Sequence, residues 1–294
     1  MFEWVYLPCN CCDSKNFIEL GYRGGEAHKN NKGQKCKIVK CSSCGHIYPN
    51  PMPIVTDINK IYNNPNEYFI HHNLEEKISN YSLLLKKLEK KLGYKGKILD
   101  VGSGRGELLY AAKNLGWEVY GIELSKEFVQ FTMKNYGIEV KNCSLEAANY
   151  PEEYFDIVVL NAVLEHLYYP KQILIEINRI LKKNKFLWMN LPNEGSLYNI
   201  VGNLYFKFLG RNWVTNLSPT FSPYHVQGFT KNSIKTILLK TGFKIENIET
   251  FSGILLLKPH SLVEYIEFYG VFLTGKIANL LKMGSYMDII AKKL

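Results

Sequence analysis

The stretch Lys97-Ile98-Leu99-Asp100-Val101 runs directly into Gly102-Ser103-Gly104-Arg105-Gly106. It continues into a segment that sets Leu108, Leu109, Ala112 and Leu115 on one face. An apolar run, a glycine-rich turn and an amphipathic helix in that order form a βα unit, which few folds accept. The alternation continues. Trp117 to Ile122 reads as a second strand, Lys126 to Tyr136 as a helix, and Phe155 to Leu160 as a third strand that is apolar after Asp156. Ile173, Ile177, Ile180 and Leu181 mark the next helix, and Lys185 to Leu191 a further strand. Uniformly apolar strands are covered on both faces, so the expected fold class is α/β with a doubly wound, mostly parallel sheet. Tyr286 to Ala291 reads as a last strand.

The glycines let the backbone turn sharply and come close to a ligand, and the helix start offers free N–H groups to a polar or anionic group. Glu123 stands 23 residues past Asp100, at the end of the next strand. A carboxylate there accepts both hydroxyls of a ribose, because a bidentate acceptor suits a vicinal diol. A tight turn without a ligand needs the glycines but not the acid, so the pair points to an adenosine-type cofactor. The loop reads GxGxG, with its third glycine one residue earlier than in the dinucleotide fingerprint GxGxxG.

Ile98 to Gly106 resembles motif I of the class I S-adenosylmethionine-dependent methyltransferases. Phe155-Asp156-Ile157-Val158-Val159-Leu160-Asn161-Ala162-Val163-Leu164-Glu165-His166-Leu167 resembles their later strand-and-helix segment. Leu181 to Asn193 is similar to the strand that follows, and Pro223-Tyr224-His225 with Gly228-Phe229-Thr230 to the element before the next helix. The resemblance covers about residues 96–250 and is specific as a set. It implies a Rossmann-like fold with S-adenosylmethionine as cofactor. It also implies that Gly102 and Gly104 line the methionine part while Asp100 supports that loop. Glu123 then takes the ribose, Leu124 abuts the adenine, Ser144 and Leu145 lie near the adenine edge, and Asn161 faces the methionine end. Here the adenine-edge loop reads Asn142-Cys143-Ser144, and Lys183-Asn184-Lys185 stands where the family usually has a glycine pair.

Six of the seven cysteines lie in the first 44 residues. Cys9-x-x-Cys12 and Cys41-x-x-Cys44 can each place two thiolates on one tight turn, and two such turns complete a tetrahedral S4 site, with Gly45 easing the second. Zinc suits four thiolates best, though iron fits the same geometry, and a closed set is structural because it leaves no position for chemistry. Cys11 and Cys36 are spare, and Cys11 could replace a ligand. The module is also similar to the N-terminal zinc-binding region of a methyltransferase subgroup that includes sugar C-methyltransferases and surface-glycan enzymes; Asp13 stands where that subgroup often has glycine. The expected organisation is a zinc-ribbon-like module over 1–55 and a linking helical segment over 56–95. A methyltransferase domain then spans 96–294, with an aromatic-rich acceptor or lid insertion at 193–226. Ile78, Tyr81, Leu85, Leu88 and Leu92 form the apolar stripe of the linking helix.

Two histidines are candidate bases for an acceptor's proton. His166 follows Glu165 at the carboxyl edge of the sheet, and His225 lies in Pro223-Tyr224-His225. A packing role for the first and a backbone-satisfied loop role for the second are the competing readings. His71 and His72 read as solvent-facing. The insertion carries Tyr198, Tyr205, Phe206, Phe208, Trp213, Phe221 and Tyr224. It is either a wall for the acceptor or a helix packed on the core with Tyr205, Phe208 and Leu209 inward; both stay open.

The formal charge of +9 is uneven: +5 over residues 1–95, −2 over 96–194 and +6 over 195–294. Basic flanks around a neutral middle suit an anionic small-molecule acceptor, such as a sugar, nucleotide-sugar or envelope-glycan precursor. An RNA methyltransferase gripping nucleic acid with its flanks is the second enzyme reading, against which stands the absence of a basic-aromatic RNA signature. A non-catalytic zinc-module binding protein is the third, against which stand the intact glycines and Glu123. The chain shows no secretory signal and no apolar run long enough to span a membrane. The CxxC pairs fit a reducing compartment, so the expectation is a cytoplasmic enzyme. Leu262 to Leu281 could lie on a membrane surface, but packing on the sheet or on a second subunit is the preferred reading. Oligomeric state is left open.

Overall fold

The computed structural model describes residues 2–56, 74–215, 217–253 and 262–294. His71 and His72 lie outside the described residues, as does part of the linking segment. The centre is a six-stranded sheet. β6 (Lys97–Val101), β7 (Glu118–Ile122), β8 (Phe155–Asn161) and β9 (Leu181–Pro192) are parallel. β11 (Tyr286–Lys293) runs antiparallel between β9 and β10 (Phe243–Phe251), giving the order β10-β11-β9-β8-β6-β7. The chain leaves β6 toward β7 and then crosses back to β8. The two directions diverge at the β6/β8 boundary, and a crevice opens there outside the carboxyl ends of the strands.

Side chains alternate across the sheet, and both faces are covered. Leu99, Val158 and Leu160 join one core cluster, while Ile98, Ile157 and Val159 join the other. Helices α2 (Glu107–Asn114) and α1 (Leu74–Leu92) cover the second face through Leu108, Ala111, Leu85 and Leu88. Helices α4 (Pro170–Ile180) and α6 (Lys231–Lys240) cover the first through Leu174, Ile177, Ile234 and Ile237. α3 (Lys126–Tyr136) starts on Ser125, whose hydroxyl accepts from the Phe128 amide, and ends on left-handed Gly137. α6 starts on a capping box between Thr230 and Ser233.

Two local expectations change. β9 begins at Leu181, four residues before the apolar run at Lys185 signals it. Leu181 pairs with Phe155, and the register then jumps to Ile157 opposite Phe186, so a bulge absorbs the lysine-rich segment. Asn184 supplies the left-handed backbone, φ 61°, where glycine would be the usual choice. Helix α5 (Leu197–Phe208) is the second change. Tyr205, Phe208 and Leu209 are 58%, 88% and 45% exposed, so of the two open readings the one that packs them inward is not found. Helix α7 (Leu262–Leu280) packs against α5 and touches β10, and it leaves Tyr269, Val271, Leu273 and Leu280 exposed. Among the described residues no helix is long and apolar enough to cross a membrane.

The N-terminal segment pairs β1 (Phe2–Val5) with β5 (Met52–Val55). It also forms a three-stranded antiparallel sheet from β2 (Phe17–Arg23), β3 (Cys36–Cys41) and β4 (Ile47–Pro49). This segment does not stand apart. Cys9, Val39, Cys44, Tyr48 and Met52 belong to the same buried cluster as Leu160, Leu187 and Phe229. Ile47 and Gly228 exchange reciprocal backbone hydrogen bonds of 2.9 and 2.7 Å. Buried His46 holds Gln227 through Nε2···Oε1 at 2.7 Å.

Candidate active site

The turn after β6 is built by conformations that side chains resist. Gly102, Gly104 and Gly106 all have positive φ, at 71°, 53° and 77°. A Cβ on Gly102 would lie 2.9 Å from the Val163 side chain, and one on Gly106 2.5 Å from Thr132. Glu123, 8% exposed, ties the turn down: its carboxylate accepts from the Gly104 amide at 2.9 Å and the Ser125 amide at 2.8 Å. Each oxygen keeps a lone pair for a further donor.

A cavity of about 500 Å³ opens over this turn at the β6/β8 divergence. Asp100, Gly102, Gly104, Glu123, Leu124, Ser144, Leu145 and Asn161 all line it, and so do His166 and His225. The ten residues singled out from the sequence for cofactor and catalysis thus surround one space, contributed by β6, the ends of β7 and β8, and two loops. Lys77, Tyr81, Glu107 and Phe128 line it too and were not foreseen for that role. Tyr81 counted only as part of an apolar stripe, yet its hydroxyl accepts from the Asn161 amide at 2.8 Å. Glu107 carried a signal that was passed over, an acid in the first turn of the helix after the glycines.

The floor of the cavity is acidic and dry. Asp100 is 3% exposed, and burial, then the charges of Glu123 and Glu107, push its pKa up to about 8 against a smaller pull from Lys77. Glu107 is equally buried and is met by Lys77 at 3.4 Å and Arg105 at 3.2 Å. Three carboxyl groups sharing one desolvated space suit a ligand that brings positive charge.

At the other end stand Glu165, His166 and His225. The 3-10 turn Leu164–His166 places the first two, and the Glu165 carbonyl accepts from the Val226 and Gln227 amides, both at 2.9 Å, which fastens the loop carrying His225 beside it. The imidazole rings of His166 and His225 meet edge to face with centroids 4.7 Å apart. His225 Nε2 lies 4.0 Å from Glu165 Oε1. Burial holds His166 down at about 4, although the Tyr224 and Pro223 carbonyls beside it favour its charged form. Burial and then His166 hold His225 at about 3, so both rings are neutral near pH 7. Glu165 is 1% exposed, burial raises it to about 8, and among the described residues neither of its oxygens has a hydrogen-bond partner.

The four sulfurs of Cys9, Cys12, Cys41 and Cys44 lie within 4.8 Å of one another. Cys9–Cys44 is 3.5 Å and Cys12–Cys41 is 3.4 Å. A tetrahedral zinc with bonds of ~2.3 Å needs sulfurs about 3.8 Å apart. The turns close as knuckles do, with Asp13 N–H on the Cys9 carbonyl and Gly45 N–H on the Cys41 carbonyl. Asp13 takes φ 66°, the backbone a glycine would give, and its carboxylate meets Lys171 at 2.7 Å and Lys240 at 3.1 Å. Cys11 is buried beside the cluster, with Cys44 and Cys9 in hydrogen-bonding reach. Cys36 is apart from it, and its thiol donates to the Gln34 carbonyl.

Comparison with known proteins bears on the sheet. Residues 99–189 match the family described as a methyltransferase domain. The mouse mitochondrial ubiquinone biosynthesis O-methyltransferase is 26% identical over 52% of this chain and 42% of its own length. The ribosomal protein L11 methyltransferase of Fusobacterium nucleatum is 31% identical over 41% of this chain and 40% of its own. The chain thus spans between two fifths and about half the length of the curated relatives it matches. Among solved structures, a 1,6-didemethyltoxoflavin-N1-methyltransferase from Burkholderia thailandensis aligns with TM-score 0.52 at 15% identity, over 81% of this chain and 86% of that one. A SAM-dependent methyltransferase from Thermotoga maritima aligns with TM-score 0.51 at 19% identity, over 80% and 100%. At such identities the likeness is one of fold. The sheet is the mostly parallel, Rossmann-like methyltransferase fold.

Proposed function

Taking that fold as premise, we propose that this chain is an S-adenosylmethionine-dependent methyltransferase acting on a small or medium acceptor. The acceptor we propose is a sugar, nucleotide-sugar or envelope-glycan precursor. The observation that carries the reading is the cavity at the β6/β8 divergence, with a glycine turn held by Glu123 at one end and two neutral imidazoles at the other. The relatives are named for a ubiquinone precursor pathway and for a ribosomal protein, so the shared sheet does not choose the acceptor. The +6 charge of residues 195–294 supports an anionic one.

S-adenosylmethionine, when bound, supplies a methyl group on a positively charged sulfur, open to in-line displacement. Glu123 accepts the ribose hydroxyls, and Gly102 and Gly104 let the backbone approach the methionine part. Leu124, Ser144 and Leu145 would hold the adenine, and Asn161 would serve the methionine end. Buried Asp100 and Glu107 face the cationic groups, where low dielectric strengthens the attraction. His166 and His225 face the acceptor. His225 would take the proton of the acceptor group that receives the methyl. Glu165 is the carboxyl group beside that ring, 4.0 Å away. Cys9, Cys12, Cys41 and Cys44 hold a structural zinc, a role their four converging sulfurs support.

Titration calorimetry with S-adenosylmethionine tests the cofactor, and its pH dependence tests the site. Below about 8 Asp100 keeps its proton and contributes no charge; above it the carboxylate attracts the cation. Affinity should therefore rise between pH 6.5 and 8.5 by roughly tenfold, about one pKa unit of coupling. In Asp100→Asn the curve should be flat. Absence of binding at any pH removes the proposal, and a flat wild-type curve removes the role of Asp100.

The acceptor side has its own test. His225→Ala should cut transfer of labelled methyl groups to the acceptor by about 10² to 10⁴ while leaving cofactor affinity within about threefold. Full activity in both His225→Ala and His166→Ala would refute the base assignment.

A further inference from the structure

We infer that Glu165, His166 and His225 form a binding site for a divalent transition-metal ion, distinct from the cysteine cluster, at the acceptor end of the cavity. Their donor atoms lie within 4.8 Å of one another. The inference rests on the methyl-transfer reading for its purpose but not for its evidence.

The first observation is the bare carboxylate. Glu165 is almost fully buried, and among the described residues both oxygens lack a hydrogen-bond partner, a costly state for the ionised group that a cation beside it resolves. The second is the set of donors. Two imidazoles and one carboxylate are the ligands of open sites that hold zinc or iron, with remaining positions left for water or substrate. Four thiolates, in contrast, close their site. The third is outer-shell order. The His166 ring has the Pro223 and Tyr224 carbonyls beside it. A ring nitrogen donating to such a carbonyl fixes the tautomer and leaves the other nitrogen's lone pair free, as metal-bound histidines are held. The Glu165 carbonyl, accepting from Val226 and Gln227, fastens the two ligand segments to each other.

The geometry needs little change. Bonds of ~2.1 Å place tetrahedral ligands about 3.4 Å apart, against 4.0 Å from His225 Nε2 to Glu165 Oε1. Rotation of the imidazole about its side-chain torsions covers that difference. His166 and His225 both line the cavity, so the open positions of the ion face the space where the acceptor is placed. This narrows the acceptor class to molecules that offer two adjacent oxygens, as the vicinal hydroxyls or hydroxy-ketone of a sugar do. With the ion bound, the ion would hold the acceptor as a chelate and acidify its hydroxyl, which replaces the free-base role that His225 has in the metal-free site.

Full-length protein carrying a single equivalent of zinc, which the four thiolates take first, titrated with Co2+ tests the site. Cobalt on nitrogen and oxygen ligands gives visible d–d bands without the sulfur-to-metal charge-transfer band that thiolate ligation adds. One saturable equivalent with d–d absorption and no charge transfer is expected, and Glu165→Gln and His225→Gln should each weaken it at least tenfold. Both variants keep size and polarity, and their melting curves report folding. No saturable d–d band, a charge-transfer band only, or less than tenfold weakening in either variant overturns the inference. S-adenosylmethionine binding measured on the same wild-type sample separates the two readings. Failure there removes the methyltransferase proposal and leaves the cobalt result to stand alone.

Discussion

Replacing Glu123 with alanine is expected to weaken S-adenosylmethionine binding by about 100-fold or more. Two charge-assisted hydrogen bonds to a ribose diol are worth roughly 1.5–3 kcal/mol each, and every 1.4 kcal/mol is about tenfold. The effect has a second source. The same carboxylate holds the Gly104 and Ser125 amides at 2.9 and 2.8 Å, so its removal loosens the turn that must approach the cofactor. Glu123→Gln separates the two. It keeps one oxygen acceptor and the side chain's length, and should lose about tenfold. Calorimetry on the folded variants is the measurement. Affinity within about threefold of wild type in Glu123→Ala would place the ribose elsewhere.

Cys41→Ser is expected to lose the zinc proposed for the four cysteines and at least about 10 °C of melting temperature. Structural zinc contributes on the order of 10 kcal/mol in small modules, and about 3 kcal/mol shifts the melting point of a domain this large by roughly that amount. Cys41 is 1% exposed and its sulfur sits 3.4 Å from that of Cys12, so serine leaves three thiolates around a position that needs four. The loss should spread beyond the module, because Cys41 belongs to the cluster that includes Leu160 and Phe229. Cys36→Ser is the control. Cys36 is buried but apart from the four sulfurs, and that variant should keep the thiolate-bound equivalent and its cobalt charge-transfer band. Metal content by mass spectrometry and thermal melts decide it. A thiolate-bound equivalent retained in Cys41→Ser, seen as the sulfur-to-metal charge-transfer band of the cobalt form, with an unchanged melt, would count against the assignment.

Much of the central sheet was legible because its signals are local. Ile98 to Val101 is a strand in any context, the glycines after it mark a turn that only they fill, and Glu123 follows at the distance one βα unit requires. The cysteine pairs were legible for the same reason, since each knuckle is a four-residue event. What failed was tertiary. Leu181 has the spacing of a helix residue, and only its pairing with Phe155 makes it the start of β9. Tyr205 and Phe208 look like core residues, yet α5 presents them outward. Tyr81 and Lys77 belong to a helix that precedes the domain in sequence, and nothing in their spacing says that the fold swings them over the cavity. The isolation of the Glu165 oxygens is likewise invisible in Glu165-His166, because it depends on what fails to come near.

The reciprocal bridge between Ile47 and Gly228 sets an order of events during synthesis. Its two halves are about 180 residues apart in the chain, which a ribosome adding 5–20 residues per second covers in on the order of ten to forty seconds. For that interval the N-terminal segment has emerged without the surface it rests on, and Val39, Tyr48 and Met52 face water or a chaperone. Both cysteine knuckles are complete within the first 44 residues, so they can close on metal at once. On the proposed zinc reading, metal supply at the moment of translation, more than in the finished protein, would then set how many chains reach the docked state.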